Sequence, residues 1–391
     1  MFAGRVAHIA PFRVVELLER AKALELEGHR VVHLEVGEPD FPTAEPIVAA
    51  AHRALDAGAT KYTQALGTPA LRERIAAYYQ ETSGIRVAPE RVVVTAGASG
   101  GLLLLSGLLL DPGDELLVTD PGYPCNEVFV YLVNGVPLRV PLDPSRGFQL
   151  DVAHVAAHWG ERTRGALVAS PANPTGVVLP ADVVTGLARL ASDRGGVLIM
   201  DEIYQGLTFD ARAATYRSAL ELHDDLFVLN SFSKYFGMTG WRLGWMVLPE
   251  QAVEPVARLA QNLFISPSSI SQHAALAAFD PDAIAIHETR RTAFARRMTL
   301  LADGLEALGL TIPARPAGAF YLYADVSRTG LSAPVFCRKL LEEYQVAATP
   351  GADFGENDAD CYVRFAYTTD EGSIALGLER IAQALADWAV R

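Results

Sequence analysis

Gly165-Ala166-Leu167-Val168-Ala169-Ser170-Pro171-Ala172-Asn173-Pro174-Thr175-Gly176 is an apolar run that ends in a proline-stiffened loop. A helix-length segment follows, opening at Leu179-Pro180-Ala181-Asp182 and closing near Gly195-Gly196; then comes a second apolar run, Val197-Leu198-Ile199-Met200-Asp201. Strand, helix, strand is the reading that decides the fold. Parallel neighbours need a crossover, and strands covered on both faces read as unbroken apolar runs. The same unit recurs outward, with strands expected at 91–95, 115–119, 137–141 and 226–230. This predicts an α/β fold with a mainly parallel sheet between helices, and ligands beyond the carboxyl ends of its strands. Towards the end of the chain, strands at 321–326 and 362–367 accompany helices at 334–344 and 371–390, which suggests a smaller α+β unit. The expected division is 1–45 with the small domain, 46–285 as the large domain and 286–391 as the small C-terminal domain.

The chain has 391 residues, 50% of them hydrophobic, enough for two or three packed domains and too many for a disordered chain. Its net charge of -13 argues against nucleic acid as a partner. No apolar stretch is long enough to span a bilayer and no signal peptide opens the chain, so no membrane association is expected. Cys125, Cys337 and Cys361 are too few for a disulfide framework and fit a reducing, cytoplasmic setting. No metal site is expected. Only four of the 33 basic residues are lysines: Lys22, Lys61, Lys234 and Lys339. Arginine replaces lysine on a solvated surface, but not where an amine must lose its proton and attack a carbonyl.

Four segments at strand ends carry the chemistry. Asn230-Ser231-Phe232-Ser233-Lys234 leaves a strand, with Arg242 eight residues on. Two hydroxyls and a guanidinium suit a phosphate, and a nearby lysine suits a Schiff base; an exposed loop lysine is the plain alternative. Asp201 ends its strand and Tyr204 follows; the carboxylate could sit beneath a pyridine nitrogen, or merely cap a helix. Asn173 could donate to a ring oxygen, or belong to an ordinary turn. Tyr123 could stack on a planar ring, or simply pack. Gly97-Ala98-Ser99-Gly100-Gly101 between a strand and a helix reads equally as a phosphate cradle, a bare turn, or the nucleophile elbow of a serine hydrolase with Ser99 as nucleophile. For the last, His223, His273 or His287 would have to serve, and His287 reads as an exposed or capping residue of a helix. In Cys361-Tyr362-Val363-Arg364-Phe365-Ala366-Tyr367, alternation puts Arg364 opposite the apolar face, towards solvent unless a cleft lies there.

The ordered series Asn173, Asp201 with Tyr204, Ser231-x-Ser233-Lys234, Arg242 and Arg364 resembles the fold-type I pyridoxal phosphate (PLP) enzymes, specifically the class I/II aminotransferases of the bacterial aspartate-aminotransferase type. Val36-Gly37-Glu38-Pro39-Asp40-Phe41 is similar to the family's N-terminal substrate-binding strand. Lys61-Tyr62-Thr63 and 67–72 resemble the segment whose tyrosine reaches the neighbouring subunit. Pro316-Ala317-Gly318-Ala319-Phe320-Tyr321 and Thr349-Pro350-Gly351 also fit. The resemblance implies that Lys234 bonds the cofactor and moves the substrate proton, and that Asp201 pairs with the pyridine nitrogen. It implies that Tyr204 and Asn173 hold the ring oxygen and that Tyr123 stacks. It assigns Ala98, Ser99, Ser231, Ser233, Arg242 and the partner's Tyr62 to the phosphate, and Arg364, Asn173 and the Gly37 backbone to the substrate carboxylate. A homodimer acting on an amino acid and a 2-oxo acid by a ping-pong route is implied. Aspartate-specific relatives carry lysine where this chain has Ser99, and Ile9-Ala10-Pro11-Phe12 is apolar, so a neutral or aromatic donor is expected. The rivals are a PLP lyase or decarboxylase and, distantly, the Ser99 hydrolase. A PLP-fold transcription regulator is not expected, because the segment before Val36 is too short for a DNA-binding domain.

Overall fold

The computed structural model describes residues 2–11, 13–209 and 215–389. In chain order the strands are β1 (Val32–His33), β2 (Val92–Thr95), β3 (Glu115–Asp120), β4 (Val136–Pro141), β5 (Thr163–Ala169), β6 (Val197–Asp201), β7 (Phe227–Ser231), β8 (Gly244–Val247), β9 (Tyr321–Asp325), β10 (Val346–Ala347), β11 (Thr349–Pro350) and β12 (Tyr362–Ala366). Seven of them form one sheet in the order β2-β8-β7-β6-β5-β3-β4. β4, β3, β5, β6 and β7 are mutually parallel, and β8 runs antiparallel to both its neighbours. The expected mainly parallel sheet is present. Alternation divides the apolar side chains between its two faces: Val93, Val118, Leu167, Ile199 and Leu229 pack on one side, and Val94, Leu117, Val168, Met200 and Val228 on the other.

β8 was not foreseen. Its four residues are too short a run to stand out, yet it matters for the site. Gly244 opens the strand opposite both Thr95 and Ser231, at the edge where the parallel strands end. An antiparallel strand starting there brings Arg242, two residues earlier, to the same edge as Ser231.

β11, β12 and β9 form an antiparallel sheet, and β1 pairs in parallel with β10, so chain segments more than three hundred residues apart share one unit. The helix Pro281–Ala307 runs unbroken across the expected boundary at 285/286. The segment 36–41 is a loop rather than the expected strand, with Gly37, Pro39 and Pro42 punctuating it. The C-terminal helix spans Glu371–Ala389; Val390 of the expected 371–390 lies outside the described residues. Among the described residues, no helix is long and apolar enough to cross a membrane.

Candidate active site

The carboxyl edge of the large sheet opens into a cavity of about 540 Å³. A larger neighbour of about 670 Å³ shares Tyr123, Pro124, Asp353 and Phe354 with it, but the chemistry concentrates in the smaller one, which holds Lys234. Ala98, Ser99, Tyr123, Asn173, Asp201, Tyr204, Ser231, Ser233 and Arg242 all line this cavity, as do Gly37 and Arg364. Of the expected site residues only Tyr62 lies elsewhere: its side chain is 81% exposed on this chain's surface.

Lys234 follows β7 in a tight turn. Its Nζ donates to Gly37 O at 2.7 Å. Burial, with the charges of Arg364 and Arg242 adding, lowers its pKa to about 8, against the opposing pull of Glu38 and Asp201. Roughly a tenth of this amine is therefore unprotonated, and so nucleophilic, at pH 7, far more than for an ordinary lysine. Asp201 ends β6 and accepts one backbone bond, from Ile203 N at 3.1 Å. Burial raises it to about 6, with the Ile203 N–H and Lys234 pulling the other way. A buried carboxylate with so little support is suited to a cationic partner within the cavity.

At the far end of the cavity the helix Gly97–Leu109 begins. Its N-cap residue, Ala96, offers no side-chain acceptor, so the first-turn N–H groups of Ala98 and Ser99 are free to meet an anion. Gly97 has φ +67°, and a Cβ there would stand 2.8 Å from Arg242 Nη2. Only glycine leaves the guanidinium room beside that turn. Ser231 Oγ accepts from Ser233 N at 3.0 Å, which orders the two serines beside it. Hydroxyls, a guanidinium and an open helix end together make a phosphate-shaped donor set.

Arg364 overturns the solvent-facing reading that alternation favoured: it is 5% exposed. β12 is the central strand of its sheet, and all five of its residues are buried. The guanidinium lies between two rings, with Cζ 4.3 Å from the Tyr321 centroid and 4.7 Å from that of Phe354. Nη1 donates to Asn173 Oδ1 at 3.1 Å and Nη2 to Glu35 O at 2.7 Å. Its Nε is buried without a hydrogen-bond partner among the described residues, a donor left for a carboxylate. Phe354 and Glu35 went unassigned from sequence, because nothing local marks them, and Tyr321 was quoted only within the 316–321 motif, without a role of its own.

The 35–41 loop is pinned from several sides. Arg297 grips Asp40 through two bonds at 2.8 and 2.9 Å, and stacks 4.8 Å from the Phe41 ring. Thr239 donates to Glu38, tying the loop to the segment before Arg242. Behind Arg364, the fully buried Glu35 side chain meets His33 Nδ1 at 2.7 Å. That bond raises His33 from 6.5 to about 9, despite burial acting the other way. A raised histidine stabilises the fold fully below its unfolded value and loses that contribution as pH climbs through about 9. His33→Gln should therefore cost on the order of 2 kcal/mol near pH 6 and little near pH 10. Urea unfolding at the two pH values measures the difference.

The hydrolase reading fails on geometry. Among the described residues, no histidine lines the cavity with Ser99. His287, read as exposed or capping, is fully buried on its helix against the rings of Tyr235 and Phe236. His273 sits in the helix Ser269–Leu276, and His223 Nδ1 accepts from Asp225 N.

Comparison with known proteins agrees with this geometry. The profile of the family described as aminotransferase class I and II matches residues 29–381. The chain is 38% identical over 379 residues to the valine–pyruvate aminotransferase of Mycobacterium tuberculosis, covering 97% of each. It is 37% identical over 383 residues to the aspartate/prephenate aminotransferase of Thermus thermophilus, covering 97% of this chain and 98% of that one. A crystal structure of an aminotransferase from Mycobacterium tuberculosis superposes with a TM-score of 0.95 at 37% identity, covering 99% of both chains. The chain belongs to the class I and II aminotransferases, a family whose members generally depend on PLP, and it has their fold-type I architecture.

Proposed function

We propose that the protein binds PLP at this edge and transfers an amino group from a neutral amino acid to a 2-oxo acid by a ping-pong route. The observation that carries the reading is one cavity holding a buried amine of lowered pKa, a buried carboxylate and an uncapped helix end. Bound there, PLP supplies an aldehyde for amine exchange and an electron-withdrawing ring that acidifies the substrate Cα–H. Ala98, Ser99, Ser231, Ser233 and Arg242 would hold its phosphate, Asp201 its ring nitrogen, Tyr204 and Asn173 its ring oxygen, and Tyr123 its face. Arg364, Asn173 and the Gly37 backbone bind the substrate carboxylate and fix the Cα–H towards Lys234. Lys234 Nζ then takes that proton and returns it.

The donor preference rests on what surrounds the remaining space. Val14 and Val15, from the helix Arg13–Leu26, face the cavity with Leu102 and Ser99. Among the described residues, the basic ones lining it are Lys234, Arg242 and Arg364, each already given a task. Phe12, expected beside the side chain, lies outside the described residues. The relative named for valine and pyruvate supports the neutral reading. We further propose a homodimer in which the exposed Tyr62 completes the partner's phosphate site. A cytoplasmic location suits the three free cysteines. The division 1–45 with 286–391, around 46–285, rests on the pairing of β1 with β10.

Single-turnover screening of amino acids, read by cofactor absorbance, followed by pyruvate or 2-oxoglutarate as acceptor, tests the reading. Valine or another neutral amino acid should convert the cofactor durably to its amine form at least about tenfold faster than aspartate or glutamate. Faster conversion by the dicarboxylic acids would overturn the donor preference. Carbon dioxide release or side-chain elimination in place of a free 2-oxo acid would overturn transamination.

A further inference from the structure

We infer that the Tyr321 hydroxyl is a positioning group: it donates to Tyr204 Oη and so frees the single hydrogen of Tyr204 to point at the cofactor's ring oxygen. The inference rests on the proposed PLP reading and adds a residue to it. The two hydroxyl oxygens lie 3.0 Å apart, and Tyr204 and Tyr321 are 3% and 1% exposed. A phenol has one hydrogen to give. If Tyr204 gave its own to Tyr321, it would have none for a ring oxygen.

The surroundings of Tyr321 favour it as the donor. Its hydroxyl stands against Gly37, where a side chain on that residue would lie, so the backbone closes that direction. Tyr204 is the hydroxyl's one hydrogen-bond partner among the described residues. The Arg364 guanidinium lies over the Tyr321 ring at 4.3 Å, and a cation there makes a phenol the better hydrogen donor. Burial raises both phenols, Tyr204 the more strongly, and the Arg364 charge, which lowers both, ranks directly after burial only for Tyr321. The stronger acid of a pair donates. The charged groups facing the two rings are Arg364 from β12 and Lys234 from the turn after β7, whose Nζ is 5.7 Å from the Tyr204 centroid. In such a chain each bond polarises the next, so Tyr321 strengthens the donation Tyr204 makes. A hydrogen bond to the ring oxygen favours its ionised form and lowers the pH at which the bound cofactor's visible absorption changes.

The test reconstitutes wild type, Tyr321→Phe, Tyr204→Phe and the double variant with PLP, and titrates the visible absorption with pH. Tyr321→Phe keeps the ring beneath Arg364 and removes only the oxygen. Its midpoint should rise by about half a pH unit, roughly threefold in proton affinity. Tyr204→Phe should raise it further, and the double variant should match Tyr204→Phe alone, since Tyr321 acts through Tyr204. An unmoved midpoint in Tyr321→Phe, or shifts that simply add in the double variant, would overturn the inference while leaving the PLP reading intact. A wild type that acquires no visible absorption would overturn that reading, and this inference with it.

Discussion

Lys234→Ala and Lys234→Arg should each lower kcat/KM by at least about 10⁴-fold, the scale seen when a group that both bonds and moves protons is lost. The two variants fail for different reasons. Alanine removes the amine. Arginine fills the volume and keeps the charge, but its guanidinium stays protonated at any working pH and cannot attack an aldehyde or accept the Cα proton. The partly buried amine at position 234 is better suited to act as a base because its surroundings lower it to about 8. Borohydride treatment of the PLP-loaded wild type should fix the coenzyme to this side chain, as peptide mass mapping would show, and neither variant should carry the adduct. Turnover near the wild-type rate in either one would remove Lys234 from the chemistry.

Arg364→Lys should lower kcat/KM by about 10²-fold, and by the same factor for every amino acid and oxo acid offered. The uniformity is the informative part. Arg364 is assigned to the carboxylate common to all these substrates, so its loss should not sort them by side chain. A lysine keeps the charge but not the planar fork, and here the fork serves several partners at once: Asn173 Oδ1, Glu35 O and the rings of Tyr321 and Phe354. Steady-state kinetics with a valine-type and an aspartate-type donor would check it. A loss confined to one donor class would move Arg364 from common anchor to specificity determinant.

The two arginine positions of the site show what the sequence made legible. Arg242 could be placed because it follows a strand-end lysine at short range. The antiparallel β8 that puts it there was not seen, since four residues that open on a glycine and run into Leu-Pro give too weak a signal. Arg364 was legible as a candidate but not as buried. What encloses it comes from Tyr321, Phe354, Asn173 and Glu35, and its bond to Glu35 O spans 329 positions. No local periodicity carries that information. His287 failed in the same way: a polar residue in a helical pattern reads as exposed until Tyr235 and Phe236 are known to cover it. Asp201 was readable because it directly follows an apolar run, and Asn173 and Lys234 because they lie in the short loops just beyond such runs, which end at the ligand edge of a parallel sheet. Tyr321 was hidden, since its part depends on a hydroxyl contact with Tyr204 across 117 positions.

The parallel pairing of Val32 with Val346 also governs the order in which the enzyme can come into being. A ribosome makes the chain from its amino end, and domains generally organise as they emerge. The large sheet, built from β2 to β8, can pair with all of its strands already translated. The segment from Val32 to Glu35 must wait, its partners unmade, until residues 346–364 have left the exit tunnel. The surroundings of Arg364, the group proposed to hold the substrate's carboxylate, thus come together only after the large sheet's strands are made, and a nascent chain stalled before residue 346 would hold the lysine without that arginine.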